Sequence, residues 1–257
     1  MTSDTEYHEA MIKMLELIWG EGYMAPGGTA LTDELVAGLD LEGKRVLDIG
    51  SGLGGPACHL AAAHGAFVTG VDIEPQLIEL SRQRAAQLGL ADRVQFALVD
   101  PGPLPFDDDS FDVAVSAGAL TQIPDKQGLF AQLRRMLRPG GAMHNYEWTT
   151  SSPTPSRDML YFFEMEGLTY ALETPETYGR LLGEAGFTDV RIEDVTPWYR
   201  RLAREEYESL RGDLYPRMLE LLGKEDADHF VEDWRSMVVV WENGELTQTV
   251  CRSRVPA

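Results

Sequence analysis

A glycine-rich segment near residue 50 contains the residues of this chain best suited to binding a nucleotide-like ligand. Asp48 lies in a short apolar run, and the turn 50–55 (Gly-Ser-Gly-Leu-Gly-Gly) follows it directly. Glycine lets the backbone pass close to a ligand, and the amides of such a turn can donate hydrogen bonds to it. Pro56 suits the first residue of a helix. The segment therefore predicts a strand, a cofactor-binding turn and a helix.

The turn satisfies two cofactor patterns at once. Gly50, Gly52 and Gly55 fit the G-x-G-x-x-G pattern of dinucleotide-binding proteins. With Gly54 as the third glycine and an acid two residues before the turn, the segment also resembles motif I of class I S-adenosylmethionine-dependent methyltransferases. Asp72 follows a second apolar strand, and both families place an acid there to accept from ribose hydroxyls. The turn and this acid indicate nucleoside binding without choosing the cofactor.

Features further along the chain favour S-adenosylmethionine over a nicotinamide or flavin cofactor. A third predicted strand, 93–100, ends in Asp100, where methyltransferases commonly place an acid against the adenine amino group. The next helix ends in Arg-Pro-Gly-Gly at 138–141, before strand five. That break resembles a methyltransferase hallmark, although Pro-Gly-Gly is also a generic helix stop. Five elements in the expected order favour the methyltransferase interpretation.

The alternation of apolar strands and helices predicts an α/β fold. We expect a Rossmann-like, seven-stranded, mostly parallel sheet with helices on both faces and a helical lid. Residues 1–257 are predicted to form one domain. In it, 1–40 are cofactor-covering helices, 41–150 the S-adenosylmethionine-binding core, and 151–172 and 197–245 lid insertions. An insertion after a late strand of such a sheet lies over the carboxyl ends of the strands, where ligands bind.

Helix boundaries are predicted from apolar spacing and capping residues. The spacing indicates helices at 6–20, near 32–39, at 156–172 and at 174–185. Thr32 is predicted to cap the second of these, because threonine suits a helix start and acids follow it in the first turn.

Composition narrows the partners. A net charge of −20 argues against nucleic acid, whose phosphates require basic surface. No apolar run reaches the length of about 18 residues that a membrane span needs, and we expect no signal peptide. Two cysteines form no disulfide framework, which favours a reducing compartment. We expect a cytoplasmic enzyme with a small-molecule substrate and no membrane or nucleic-acid partner; the oligomeric state is left open.

A closer resemblance comes from two segments: Ile-Trp-Gly-Glu-Gly-Tyr-Met-Ala-Pro-Gly-Gly-Thr at 18–29 and the glycine turn after it. Together with Thr-Pro-Glu-Thr-Tyr at 174–178, they make the chain similar to the phosphoethanolamine N-methyltransferase family. The resemblance implies that one set of residues binds the methionine, ribose and adenine parts of S-adenosylmethionine: Met24, Asp48, Gly50, Ser51, Gly52, Asp72, Ile73, Asp100, Pro101 and Ser116. It also implies that Tyr7 closes over the active site.

The chain departs from that family where the family binds and activates its acceptor. After strand four the family carries an Asp and, four residues later, a His; here these positions are Gly118 and Gln122. Leu168 stands where the family has an Arg, and the segment 242–245 is Glu-Asn-Gly-Glu. Because Arg and Lys are the residues that recognise phosphate, phosphoethanolamine is rejected as the leading substrate.

Candidate acceptor-site residues are polar or aromatic. The catalytic candidates are Tyr7, Gln122 and His144, although His144 could equally be a core histidine bonded to backbone. The substrate-binding candidates are Tyr23, Gly118, Tyr146, Trp148 and Tyr170. The aromatic members suit a cationic amine, or they pack the lid onto the core. The spacing of His, Cys and Asp predicts no metal site.

Methyl transfer from a sulfonium is an in-line displacement that positioning and desolvation can catalyse. An amine needs only its neutral form, which burial favours. We therefore expect transfer from S-adenosylmethionine to a small molecule, foremost to an amine nitrogen. The alternatives are O- or C-methylation of a small secondary metabolite, or a non-methylating cyclase that retains the S-adenosylmethionine pocket.

Overall fold

A computed structural model describes Tyr7 and residues 9–257 of the protein. The strands form a seven-stranded sheet of order β3-β2-β1-β4-β5-β7-β6. Their bounds are β1 Arg45–Ile49, β2 Phe67–Asp72, β3 Val94–Leu98, β4 Phe111–Ala117, β5 Leu137–Thr150, β6 Thr188–Asp194 and β7 Leu246–Arg254. Strands β1 to β5 pair in parallel, and β7 runs antiparallel between β5 and β6. The predicted Rossmann-like, mostly parallel sheet is confirmed.

Helices connect the strands and extend the chain at its start and between the last two strands. Their bounds are α1 Glu9–Trp19, α2 Gly28–Leu35, α3 Gly55–His64, α4 Pro75–Gln87, α5 Lys126–Met136, α6 Arg157–Glu166, α7 Pro175–Glu184, α8 Thr196–Arg211, α9 Tyr215–Leu222 and α10 Lys224–Glu242. A 3₁₀ turn, Ala119–Gln122, follows β4. None of the helices in this described part is long and apolar enough to cross a membrane.

The core lies on both faces of the sheet because side chains alternate along each strand. Val46, Val113 and Ala142 are paired across three strands and belong to one buried cluster, which includes residues of α1, α2, α3, α6, α8 and α10. Leu47 and Ala114 point the other way and belong to a second cluster with α5 and α7. Helices therefore cover both faces, as predicted.

We call α6 and α8–α10 the lid. Within it, α10 packs against α6, α8 and α9, and α9 also packs against α1 at the start of the chain. Buried aromatic residues of α6, α8 and α10 share the first core cluster with Tyr146 of β5. The lid thus lies over the same face of the sheet as the N-terminal helices.

Two predicted helix boundaries are wrong, and glycine explains both. Gly27 has φ +96°, so the helix begins at Gly28, and Thr32 lies inside it with its hydroxyl donating to the Gly28 carbonyl. The helix predicted at 156–172 ends at Glu166 because Gly167 takes the left-handed conformation, with φ +71°. Glycine has no Cβ to clash in that conformation, which makes it the usual residue just past a helix end.

The Arg-Pro-Gly-Gly break also differs in detail from its prediction. Helix α5 ends at Met136, before the break, and β5 begins at Leu137. The pairing of β5 with β4 then shifts register between Phe111 and Val113, so the break forms a bulge at the start of the strand. A bulge bends a strand and turns its following side chains.

Candidate active site

The glycine turn is bonded to the neighbouring strand β2. The amides of Gly50 and Ser51 both donate to the Val71 carbonyl, at 2.9 and 3.0 Å. The amide of Gly52 donates to Asp72 Oδ2 at 2.8 Å. The expectation that the turn's amides donate to a ligand does not hold for these three, because each already has a partner within the protein.

The first two glycines provide clearance instead. Gly50 has φ +68°, and a Cβ there would lie 2.0 Å from the Cβ of Ala119. Gly52 has φ +50°, and its Cβ would lie 3.1 Å from Met24 Sδ. Both contacts are closer than real Cβ atoms make without movement. The turn therefore packs directly against the 3₁₀ turn that follows β4 and against the N-terminal loop.

The N-terminal loop is held against the turn by contacts that the sequence did not reveal. The amide of Gly55 donates to the Gly22 carbonyl at 3.0 Å, and a Cβ on Gly55 would lie 2.4 Å from that oxygen. Arg84 of α4 donates to the Leu53 carbonyl at 3.1 Å and to Glu16 of α1 at 2.6 Å. Gly55 thus allows the backbone of the turn to approach the backbone of the N-terminal loop closely. This explains why a glycine stands at this position of the glycine-rich pattern.

A cleft opens between the turn, the N-terminal loop and helices α2 and α3. Six predicted cofactor or substrate residues line it: Tyr23, Met24, Asp48, Gly50, Ser51 and Gly52. Apolar residues that were not predicted complete the walls, among them Leu31, Leu35, Leu53, Leu60 and Val115. These residues could not be predicted, because a leucine that lines a pocket and a leucine in the core have the same local sequence pattern.

Buried polar atoms in this cleft lack partners among the described residues. They include Asp48 Oδ2, Ser51 Oγ and the Tyr23 hydroxyl. Burial, and secondarily the charge of Asp72, raises the pKa of Asp48 to about 7. An unsatisfied buried polar atom costs about 1–3 kcal/mol, so these atoms favour a ligand with hydrogen-bonding groups of its own. A nucleoside joined to an amino acid has such groups.

The other predicted cofactor residues lie outside this lining. Asp72 ends β2 and also accepts from the amide of Glu74, at 3.0 Å. Ile73 is 50% exposed, and Asp100 and Pro101 are exposed after β3, at the same carboxyl edge of the sheet. Ser116 is buried on the opposite face, where its hydroxyl donates to a β1 carbonyl at 3.0 Å.

His144 does not line the cleft. It is 5% exposed, and its Nδ1 lies 2.7 Å from the Leu35 carbonyl, to which it donates. Burial lowers the pKa of His144, which favours the neutral ring. The residue therefore has the backbone-bonded position of a core histidine. Gln122 ends the 3₁₀ turn after β4 and is half-buried.

The remaining acceptor candidates meet near the carboxyl ends of β4 and β5. The Gly118 amide donates to the Tyr146 carbonyl at 2.8 Å. The rings of Trp148 and Tyr170 lie 5.7 Å apart. Tyr7 packs against two buried clusters: the first core cluster, which includes residues of the lid, and the group of Ile12, Leu53 and Leu77. Tyr7 therefore links the glycine turn to the lid.

In the described part of the chain, three side chains of the types that can ligate a metal come together, although the sequence spacing predicts no metal site. His59 and His64 of α3 each place Nε2 2.7 Å from Asp33 Oδ1 of α2. Their hydrogen bonds lower the pKa of Asp33. Spacing along the sequence does not reveal this group, because its members come from two different helices, α2 and α3.

Comparison with known proteins agrees with this geometry. A family model described as "Methyltransferase domain" matches residues 46–141. Phosphoethanolamine N-methyltransferase 1 of Arabidopsis thaliana is 31% identical over 91% of this chain and 47% of its own length. The 27-O-demethylrifamycin SV methyltransferase of Amycolatopsis mediterranei (strain S699) is 34% identical over 79% of this chain and 81% of its own. The chain spans about half the length of the plant relative.

A solved structure shows the same architecture. Haemonchus contortus phosphoethanolamine N-methyltransferase 2, in complex with phosphomonomethylethanolamine and S-adenosylhomocysteine, superposes with a TM-score of 0.91 at 26% identity. The match covers 99% of this chain and 59% of that one.

The chain therefore belongs to the class I S-adenosylmethionine-dependent methyltransferases, and it is distantly related to the phosphoethanolamine N-methyltransferases. This membership confirms the predicted class and S-adenosylmethionine as the cofactor, and it sets aside the nicotinamide and flavin alternative.

Proposed function

We propose that the protein transfers the methyl group of S-adenosylmethionine to a nitrogen atom of a small-molecule amine. The observation that carries the choice of nitrogen is the aromatic wall at the carboxyl edge, formed by Tyr146, Trp148 and Tyr170 with Tyr199 of α8. Aromatic faces attract cationic groups, so such a wall suits an amine that arrives protonated and a product that carries more methyl groups.

The cleft residues have separate functions in this proposal. When bound, S-adenosylmethionine supplies an electrophilic methyl group on a sulfonium. Asp48 and Ser51 hold the polar groups of the cofactor with their unpartnered oxygens, and Asp72 positions the turn and accepts from the ribose. Ile73, Asp100 and Pro101 border the adenine.

The protein would favour transfer by positioning and by excluding water. Tyr7 and the lid insertions, 151–172 and 197–245, close over the reacting groups, and residues 1–40 cover the cofactor held by the core, 41–150. The amine must lose its proton before it attacks. The proton passes to solvent before the lid closes, and burial then favours the neutral, nucleophilic form, so no histidine is needed beside it. Gly118 and Gln122 replace an Asp and a His of the phosphoethanolamine family, and Leu168 replaces a phosphate-binding Arg. These replacements argue against a phosphorylated acceptor.

Transfer of a deuterated methyl group tests the proposal. The protein is incubated with S-adenosylmethionine labelled with CD₃ and with matched pairs of aliphatic amines and their alcohol isosteres, and mass spectrometry locates the label. The proposal predicts label on nitrogen and release of S-adenosylhomocysteine. Label on oxygen or carbon alone contradicts it.

An O-methyl acceptor is the second candidate. It is favoured by the similarity to the 27-O-demethylrifamycin SV methyltransferase. That relative is 34% identical to this chain, and the match covers 81% of its length. Binding of S-adenosylmethionine with no S-adenosylhomocysteine release over either set of acceptors favours the non-methylating cyclase instead.

A further inference from the structure

Two acids lie on packed helices of the lid and interact electrostatically. Glu166 is the last residue of α6, and Asp233 lies in the middle of α10, the helix that packs against α6. Asp233 is only 9% exposed, and its Oδ1 has no hydrogen-bond partner among the described residues. Burial and the charge of Glu166 raise the pKa of Asp233 well above its usual range. Burial also raises the pKa of Glu166, to about 7.

No basic side chain of the described residues forms a salt bridge with either acid. Nearby acids on the same helices are compensated: Glu232 pairs with Arg235 at 2.6 Å. Glu206 of α8 accepts from the indoles of Trp19 and Trp234, at 2.7 and 3.1 Å. Asp233 Oδ1 has no such partner among the described residues. A buried carboxylate oxygen without a partner is costly, so the contrast favours a ligand group beside Asp233.

The surroundings of the two acids are aromatic. The Tyr170 hydroxyl donates a hydrogen bond to Glu166, and the Tyr170 ring packs on Phe163 at 4.9 Å and on Trp148 at 5.7 Å. Tyr199 packs on Trp241 with ring centroids 4.4 Å apart. These rings present π faces, which attract cations and do not neutralise a carboxylate.

Further unpartnered polar atoms belong to the same side of the sheet. The hydroxyls of Tyr146 and Tyr199, the indole nitrogen of Trp241 and the side-chain amide of Gln248 are buried and lack partners in the described part of the chain. One such atom is common in proteins, whereas several on β5, β7, α8 and α10 favour a polar ligand between the sheet and the lid.

This region adjoins the cofactor cleft. The segment after α6 is anchored to the end of β4, because the amide of Ala171 donates to the Thr121 carbonyl at 2.8 Å. Tyr7 packs against the cluster that contains Leu53 of the glycine turn and against the first core cluster, which includes residues of the lid. A ligand held beside Glu166 and Tyr170 would therefore lie on the lid side of the edge where the cofactor cleft opens.

We propose that Glu166 and Asp233, with the ring of Tyr170, form a subsite for a cationic ammonium group of the acceptor. The inference rests on the proposed function, which it deepens by assigning the acceptor a positive charge. One cation between the two carboxylates offsets their mutual repulsion and gives Asp233 Oδ1 a partner. An anionic head group such as a phosphate would be repelled from the same place.

Calorimetric titration of the protein saturated with S-adenosylhomocysteine tests the subsite. The three probes are choline, its neutral isostere 3,3-dimethyl-1-butanol, and phosphocholine. We expect choline to bind at least about tenfold more tightly than either of the others, as a desolvated cation–π contact with charge pairing allows.

Isosteric variants assign that preference to the two acids. Glu166→Gln and Asp233→Asn should each weaken choline binding by about tenfold or more. The matched controls are Glu164→Gln and Asp226→Asn, which change exposed acids on the same two helices. The controls should bind choline as the wild type does, and all four variants should bind S-adenosylhomocysteine as the wild type does.

Each outcome has a defined meaning. Equal affinity for choline and its neutral isostere, or unchanged choline binding in both isosteric variants, overturns the subsite and indicates that the acids share a proton for structural reasons. If Asp233→Asn lowers the melting temperature strongly, the more exposed Glu166→Gln decides. Failure of the wild type to bind S-adenosylhomocysteine overturns the proposed function instead.

Discussion

The glycine turn bonds its backbone amides within the protein, whereas the lid leaves buried side-chain polar groups without partners among the described residues. In the turn, the amides of Gly50, Ser51 and Gly52 are bonded to β2, so the backbone is fixed before any ligand binds. In the lid, buried groups such as Asp233 Oδ1 and the Tyr199 hydroxyl lack partners among the described residues. We infer that the turn is preorganised for a constant cofactor, and we propose that the polarity of the lid is matched to its acceptor. Substitutions in the two regions should therefore have different effects on cofactor and acceptor binding.

The largest effect is expected from Gly50→Ala. Its Cβ would lie 2.0 Å from that of Ala119, in a backbone conformation with φ +68°. Overpacking and the left-handed conformation should together cost about 2–4 kcal/mol, measured as the free energy of unfolding, and should abolish S-adenosylhomocysteine binding in calorimetry. Gly38→Ala is the control, since Gly38 has φ +81° but no neighbour within 4 Å. Equal effects of the two substitutions would show that packing of the turn is unimportant.

Asp72→Ala should weaken cofactor binding next most. The carboxylate accepts from the amides of Gly52 and Glu74, and it is proposed to accept from the ribose. Loss of a charged hydrogen bond costs about 1.5–3 kcal/mol, so the Kd for S-adenosylhomocysteine should rise by about ten- to a hundredfold. Asp92→Ala removes an exposed acid elsewhere on the surface and should leave the Kd unchanged. An unchanged Kd in Asp72→Ala would exclude the ribose interaction.

Trp148→Leu is expected to weaken use of the acceptor without changing the binding of S-adenosylmethionine. Its ring lies 5.7 Å from that of Tyr170 and 6.0 Å from that of Tyr199. Removing one aromatic face should lower kcat/KM for an amine acceptor by about two- to thirtyfold, with the KM for S-adenosylmethionine unchanged. Phe230→Leu, which removes a lid aromatic stacked on Trp234, controls for packing. A parallel rise in the KM for S-adenosylmethionine would mean that the two regions are not separable.

The last prediction concerns the pH dependence of stability. Glu147 lies behind the 3₁₀ turn, where its Oε2 accepts from the Thr121 amide at 3.1 Å, and burial raises its pKa to about 8. The folded protein therefore retains a proton that the unfolded chain releases above its ordinary pKa of 4.5. Stability falls as pH rises through that interval, by at most about 1.4 kcal/mol per pH unit from this group.

Glu147→Gln should flatten the decline of melting temperature between pH 5 and about 8. Glu79→Gln, at an exposed position of α4, should not. An unaltered slope in Glu147→Gln would show that this carboxyl is ionised in the folded protein.

Features that depend on local sequence could be predicted, whereas contacts between distant parts of the chain could not. The strands and the glycine turn depend on local apolar runs and on a compact pattern, and both were predicted. The start of α2 was not, because the left-handed Gly27 overrides the capping preference of Thr32. Arg84 and the pairing of Glu166 with Asp233 join distant parts of the chain, so no local pattern announces them.

The predicted catalytic set shows the same limit. Tyr7 was placed by resemblance, and it does link the turn to the lid. His144 was selected by its chemistry and its place on β5, yet its partner is the Leu35 carbonyl of α2. Which way a strand residue points depends on register, and register with β4 is altered by the bulge before it.

We propose that the glycine turn selects the methyl donor and that the lid selects the acceptor. Steady-state kinetics of a Glu166→Gln, Asp233→Asn double variant test it most directly, with the best amine acceptor of the panel and with S-adenosylmethionine varied in turn. The account predicts that kcat/KM for the amine falls at least about tenfold while the KM for S-adenosylmethionine stays within about twofold of wild type. Unchanged turnover of the amine, or a matching rise in the KM for S-adenosylmethionine, would contradict it.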